Sequence, residues 1–279
     1  MKTESQEQKK RGFLRENFRL FHIHDRVTLD IDPHYHEFDK IIIFLSGKVT
    51  YIIEGKSYYL KPWDIIFVSH HDIHKPVIDT DTPYERIVIW LKEEFLEKDG
   101  DKLSECFRLT HERHFSLLRL EPVMRGSVQK CLFLLEEELN TVRYGSRIMA
   151  EGYLQQLLVL FCRLLMENDV SCTDLSYECD EQIVRLLAYI NQNLDKDLSV
   201  GVLAGRFYLS SSYLMHKFKK ETGYSVHKYI KAKRLMLAAD LIKSGTPAMT
   251  AGLKCGFKEY SAFSRAFSQM YGVSPGKFV

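Results

Sequence analysis

A helix pattern stands twice in the last third of this chain, the second copy 49 residues after the first. Leu214, Phe218, Gly223 and Ser225 mark one copy; Phe263, Phe267, Gly272 and Ser274 mark the other in the same frame. Leu214/Phe218 and Phe263/Phe267 are i, i+4 pairs, so each buries one stripe of a short helix. Each helix then meets a glycine able to take the left-handed conformation that ends it. Upstream of each copy lies a second short apolar segment, 199–206 and 247–254, which predicts another helix joined by a tight turn. The expectation is two helix-turn-helix units in tandem. Their segment is basic: residues 181–279 carry 15 Lys and Arg against 6 Asp and Glu, a balance of +9. The preceding 180 residues carry 24 against 31, a balance of −7. A basic third joined to an acidic remainder suits a binder of double-stranded DNA attached to a domain of another kind.

Helix ends within 181–279 are well punctuated. Ser199, Ser210, Ser225, Thr246 and Ser274 stand where N-caps are needed, and Pro247 and Pro275 at first helical positions. Gly223, Gly245 and Gly272 mark the stops. Between the two units, 226–244 offers Tyr229, Ile230, Leu235, Ala238, Leu241 and Ile242 as a spine that makes them one body. Rigidity matters here, because successive major grooves on one face of DNA lie roughly 34 Å apart.

The remainder reads differently. Residues 1–12 form a polar tail with no apolar leader, so no secretory signal is expected. Over 13–95 the pattern is β: Val27, Leu29 and Ile31 alternate, Ile41–Leu45 is continuously apolar, and Val49, Tyr51 and Ile53 alternate before a Glu54-Gly55-Lys56 hairpin turn. Tyr58–Leu60, Ile65–Val68 and Arg86–Leu91 extend the series. Many short strands at this spacing predict a sandwich or barrel. The segment 96–168 reads as helical. Met124, Val128, Cys131, Leu132, Leu135 and Leu139 form one stripe, while the apolar residues of 148–165 cover more than one face. A helix that broad is expected to bury one side on the β domain and the other on a second subunit, or both within one subunit. Residues 169–180 read as a polar linker. No apolar run approaches the roughly 18 residues needed to span a bilayer. Six scattered cysteines without a C-x-x-C pair predict free thiols, which suits a reducing cytoplasm. The fold class is thus α+β with two domains: an N-terminal β-barrel followed by helices, and an all-α double helix-turn-helix domain at 181–279.

The stretches KFKKETGYS and GFKEYSAFSRAF, within Leu198–Phe278, resemble the DNA-binding domain of the AraC-type transcription regulators over about 80 residues. The resemblance implies a cytoplasmic bacterial regulator that binds asymmetric half-sites as a homodimer, with RNA polymerase as a further partner. It places base readout on Ser211, Ser212, Met215 and His216 of the first unit, and on Tyr260, Ser261, Ser264 and Arg265 of the second. The chemistry is reasonable: Arg265 can fork onto guanine, and Met215 can meet a thymine methyl. Lys217, Lys219, Lys220 and Lys258 flank those faces and suit phosphates. The second unit departs from the pattern. Ala248, Ala251 and Gly252 stand where larger aliphatics are usual, so it is expected to be underpacked and to contribute less to specificity. Changing Arg265 should then cost less binding than changing His216 and Lys217 together. The first unit has its own departures, Gly201 and Gly205 inside a helix, each costing about 1 kcal/mol relative to alanine.

PHYHEFDKIIIFLSG and LKPWDIIFVSHHDIH resemble the two motifs of a cupin-like effector domain. His34, His36, Gly47 and His74 fit the metal-binding version, but Lys40 stands where an acid is usual, and an ammonium cannot ligate a metal. Three readings remain: a small-molecule pocket lined by His34, His36, Lys40, Trp63, His74 and Tyr35; a zinc site on His34, His36 and His74, with His70 and His71 nearby; or histidines that only close the barrel rim. The first is preferred, with a sugar or an anionic metabolite as effector, Lys40 favouring the anion unless it pairs with Glu37 or Asp39. No catalytic set and no resident cofactor are expected. The function that follows is small-molecule control of sequence-specific DNA binding. The alternative is a metal-dependent cupin enzyme or metal sensor carrying a DNA-binding appendage.

Overall fold

The computed structural model describes residues 14, 16–26, 31, 34–70, 72–97, 102–113, 115–167 and 177–278. The expected tail 1–12, Val27, Leu29, His71 and most of the expected linker lie outside them. The chain divides into two compact units at Tyr177/Glu178, with the turn Glu54–Lys56 grouped with the second.

The first unit is built on two antiparallel sheets. Strands β1 (Phe18–Asp25), β2 (Asp39–Ser46), β3 (Val49–Ile53), β4 (Lys56–Tyr59), β5 (Asp64–Val68), β6 (His74–Ile78), β7 (Tyr84–Leu91) and β8 (Leu117–Arg119) are its strands. One sheet runs β1-β7-β2-β5-β8 and the other includes β6-β3-β4. The apolar run in β2 is buried on both faces, as its lack of alternation demands. Ile42 and Phe44 point between the sheets, where they meet Tyr51, Ile53, Tyr58, Ile66 and Val68. Ile41 and Ile43 point the other way, into a core shared with the helices. Glu54 and Gly55, at φ 44° and 76°, make the tight turn between β3 and β4. Gly47 follows β2 at φ +117°, and a Cβ there would lie 2.8 Å from the Pro83 carbonyl, so only glycine fits.

Among the described residues of this unit, four helices come after β7, with β8 between the second and third: α1 (Glu93–Leu96), α2 (Glu105–Glu112), α3 (Pro122–Leu139) and α4 (Ser146–Glu167). The expectation of an entirely helical 96–168 fails at β8, which pairs with β5 from Asp64↔Arg119 to Ile66↔Leu117. Three residues are too few for alternation to signal a strand. On α3 the predicted stripe buries Val128, Cys131, Leu132 and Leu135, but leaves Leu139 exposed. α4 is also long and apolar enough to cross a membrane by length and composition, contrary to the reading of the sequence. Nine of its residues, from Ser146 to Leu165, are buried, eight of them, from Ala150, in the core shared with the sheet and α3.

The linker expectation also fails at its end. Tyr177–Cys179 is a short strand, and Asp180 caps the next helix by accepting from the backbone N–H groups of Gln182 and Ile183. The second unit is helical: α5 (Glu181–Gln192), α6 (Val200–Arg206), α7 (Ser211–Thr222), α8 (Val226–Lys243), α9 (Ala248–Lys254) and α10 (Tyr260–Tyr271), closed by a 3-10 turn at Pro275–Lys277. Ser210 and Ser225 cap α7 and α8 through their hydroxyls, and Gly223 and Gly272 end α7 and α10 at φ 76° and 77°. Thr246 is not a cap; Pro247 holds that position before α9. α8 is the expected spine, packing on α7, α9 and α10.

Candidate functional site

β2 and β6 carry the polar centre of the first unit. Register sets Lys40 opposite Trp90 on one side and Val68 on the other, all facing the space between the sheets. His74 opens β6 opposite Ile53, and an isolated bridge ties it to His34, each backbone N–H donating to the other's carbonyl at 3.0 and 2.9 Å. The imidazoles of His34, His36 and His74 converge, with ring centroids 4.4 to 5.2 Å apart and one nitrogen of each within 4.8 Å of the others. His74 Nδ1 lies 2.9 Å from the Asp72 carbonyl, which can only accept, so Nδ1 carries the proton and Nε2 a lone pair. Lys40 Nζ donates to that lone pair at 2.8 Å.

Burial sets the electrostatics. Lys40 is 6% exposed and His74 1%, while His34 and His36 are half-buried. Burial pulls the Lys40 ammonium down to about 7. Burial first, then Lys40 and His34, pull His36 down to about 2, and burial with Lys40 holds His74 well below the usual histidine range. Both imidazoles are therefore neutral at physiological pH. Asp39, beside Lys40 in sequence, is turned away from it: it accepts from His70 N at 2.8 Å and from its Nδ1 at 3.0 Å.

Of the predicted pocket residues, His34, His36, Lys40 and His74 come together. Trp63 does not, because it packs with the core on the helix side of the sheet. It stands at φ 73° in the turn before β5, a geometry its sequence neighbours do not announce. The aromatics at the cluster are others. His36 stacks on Phe38 at 4.7 Å, Phe38 meets Trp90 at 4.6 Å, and Tyr51 lies parallel to His74 at 6.0 Å. Trp90 and Tyr51 could have been found from strand register, since both share the inward face with Lys40. Three imidazole nitrogens at these separations suit one divalent metal. The lone pair of His74, however, is engaged by an ammonium, so the set fits a metal only if Lys40 withdraws.

The second candidate site is the pair of helices α7 and α10. Leu214 and Phe218 are fully buried, as are Phe263 and Phe267, which turns the opposite face of each helix outward. Ser211, Ser212, Met215 and His216 are exposed on α7; Tyr260, Ser261 and Arg265 are exposed on α10, with Ser264 half-buried. Lys217 does not share that face. Its ammonium pairs with Asp180 at 2.7 Å and reaches Gln182 Oε1 at 3.1 Å, so it braces α7 against the start of α5. Lys219, Lys220 and Lys258 are exposed.

Arg234 of α8, unremarked in the sequence, ties the two helix-turn-helix units together. Its Nε donates to the Leu194 carbonyl at 2.8 Å and its Nη2 to Lys196 at 2.6 Å, both before α6. Nη1 donates at 3.0 Å to Gly256, in the turn between α9 and α10. A Cβ on Gly256 would lie 2.5 Å from the Leu194 carbonyl and 2.8 Å from the guanidinium carbon, so the clamp requires glycine.

A β domain with a buried polar cluster, joined to tandem helices that turn polar and basic faces outward, defines a ligand-binding regulator of DNA. The model of the AraC-like ligand binding domain matches residues 18–158 and that of the helix-turn-helix domain residues 203–279. The chain belongs to the AraC family of transcription regulators. Among curated proteins it is 27% identical to the probable transcriptional regulator LumQ of Photobacterium leiognathi, over 88% of this chain and 90% of that one. It is 21% identical to the transcriptional activator RhaR of Mannheimia succiniciproducens, over 88% and 86%. Among solved structures it resembles ToxT of Vibrio cholerae at 15% identity and a TM-score of 0.35, over 94% and 98% of the two chains.

Proposed function

We propose that the first unit senses a small-molecule effector at His34, His36, Lys40 and His74, and that its occupancy sets how well the second unit grips its operator. In this reading Ser211, Ser212, Met215, His216, Tyr260, Ser261, Ser264 and Arg265 meet bases, while Lys219, Lys220 and Lys258 meet phosphates. The observation that carries it is the pairing of two outward polar helix faces with one rigid spine between them. The effector acts through different affinity for two arrangements of the chain, the only way a ligand can shift an equilibrium.

The protein works as a cytoplasmic homodimer that also contacts RNA polymerase and performs no catalysis. Support for the dimer comes from α3 and α4: Phe133, Ile148, Met149 and Met166 are exposed on helices whose other faces are core, and unpartnered apolar surface of this kind marks an association site. Support against catalysis comes from Lys40, which holds the lone pair a metal would need, and from relatives that are regulators.

Selection of duplexes from a random library, followed by titration at fixed salt, tests the reading. Arg265→Ala should cost about 1 to 3 kcal/mol and relax preference at one position of the selected sequence. A selected sequence with no preference, or an Arg265→Ala protein that selects the same one with equal affinity, contradicts it.

A further inference from the structure

Lys40 is an amine enclosed by protein, and among the described residues no anion meets it. It is 6% exposed, and among the described residues its hydrogen-bond acceptor is one neutral imidazole. An ammonium has three donors, and among the described residues no carboxylate is recorded within ion-pairing distance of this one; Asp39, its neighbour, is turned to His70. A buried charge without a counter-charge is costly, and proteins keep one where something external completes it. Beside Lys40 runs an aromatic strip in which Trp90, Phe21 and His36 are half-buried over a buried Phe38. Trp90 meets Phe38 at 4.6 Å and Phe21 at 4.7 Å, with His36 stacked on Phe38. A hidden cation at the end of a partly open apolar strip has the layout of a site for a molecule with an anionic head and an apolar body.

We propose that this site takes an organic acid, its carboxylate received by Lys40 Nζ and the imidazole of His36, and its body laid along the half-buried Trp90. The inference rests on the first unit being the effector-binding part of the regulator, and it adds the chemical class of the effector. A divalent metal is the rival occupant of the three imidazoles. It would have to expel Lys40 from His74 and would add positive charge where no carboxylate stands to balance it. The acid uses the lysine where it already is.

The full-length protein is to be titrated by calorimetry and thermal melting with formate, acetate, benzoate and phenylacetate. Benzamide and phenylacetamide serve as neutral isosteres, and Zn²⁺ as the rival. Saturable binding and a rising Tm are expected for at least one aromatic acid, with the matching amide weaker by roughly tenfold or more, as loss of a charge-assisted hydrogen bond implies. Lys40→Met should abolish the response to acids, because it removes the donor that receives the carboxylate. The acid and amide comparison uses only the wild-type chain, so it stands even if that variant fails to fold. Equal binding of acid and amide, silence across the acid series, or stoichiometric Zn²⁺ uptake lost in His36→Ala with no response to acids would each overturn the proposal. Operator binding separates the two layers. Acids that bind without changing DNA affinity overturn the effector reading and leave the acid site standing. A neutral sugar that changes DNA affinity while acids do nothing does the reverse.

Discussion

The two helix-turn-helix units follow one frame and hold it by different means. In the first, α6 has no side-chain cap but serine hydroxyls cap α7 and the spine α8, and the turn after α6 passes through Tyr208, 96% exposed and at φ 55°. In the second, neither α9 nor α10 has a side-chain cap, and the same left-handed position is taken by Gly256 at φ 81°. The bonds around those turns correspond: Leu209 N–H donates to Ala204 as Phe257 N–H donates to Gly252. The second turn is one residue longer, Lys258 standing before the N-cap Glu259. The 49-residue stride therefore holds only downstream of the turns; upstream it is 48. The second unit makes up for absent caps with rings. Phe263, Phe267, Tyr271 and Phe278 meet edge-on or tilted, at 4.5 to 5.4 Å, beneath α8 and α9. One unit is secured at its helix ends and the other by its core.

That contrast overturns the expectation of an underpacked second unit. Ala251 is fully buried, and a Cβ on Gly252 would lie 2.7 Å from the ring of Phe263. The small residues are there because a helix backbone rests on an aromatic ring. The glycines of the first unit have no such reason, since a Cβ on Gly201 or Gly205 meets nothing within 4 Å. With its premise gone, and with Lys217 engaged by Asp180, the predicted ranking of Arg265 below His216 and Lys217 is withdrawn.

The contrast can be broken at several points. Arg234→Ala orphans three carbonyls in both units at once and should cost roughly 3 kcal/mol in urea unfolding; a loss within error would mean the clamp is idle. Glycine-to-alanine changes should have opposite signs in the two units. Gly252→Ala forces Phe263 aside and should destabilise by about 1 to 3 kcal/mol, while Gly205→Ala should stabilise by about 0.5 to 1 kcal/mol. Equal effects would erase the distinction between them. Tyr208→Gly relieves a left-handed tyrosine and should raise stability by about 1 kcal/mol. A loss on thermal melting would show that the exposed ring carries packing the strain argument ignores.

What was legible in the sequence follows from these physics. Leu214/Phe218 and Phe263/Phe267 announced their helices because burial at i, i+4 leaves a mark in the chain itself. The β2 run and the turn at Glu54-Gly55 were legible for the same reason. Arg234 left no such mark, because its partners are backbone carbonyls that every residue has. Trp63 looked like a pocket aromatic by proximity to the second histidine motif, but a single residue at positive φ sent it to the other face. Trp90 and Tyr51 reached the pocket through strand register, which pairs residues 40 and 90 across a distance no local pattern spans. β8 was too short to show a period at all.

The central claim is that α7 and α10, fixed by α8 and Arg234, lie in successive major grooves on one face of a duplex. Hydroxyl-radical footprinting of the full-length protein on a library-selected duplex tests it most directly. Two protected patches are expected on the same face, centred about one helical turn apart, roughly 34 Å. A single patch, or two on opposite faces, would contradict it.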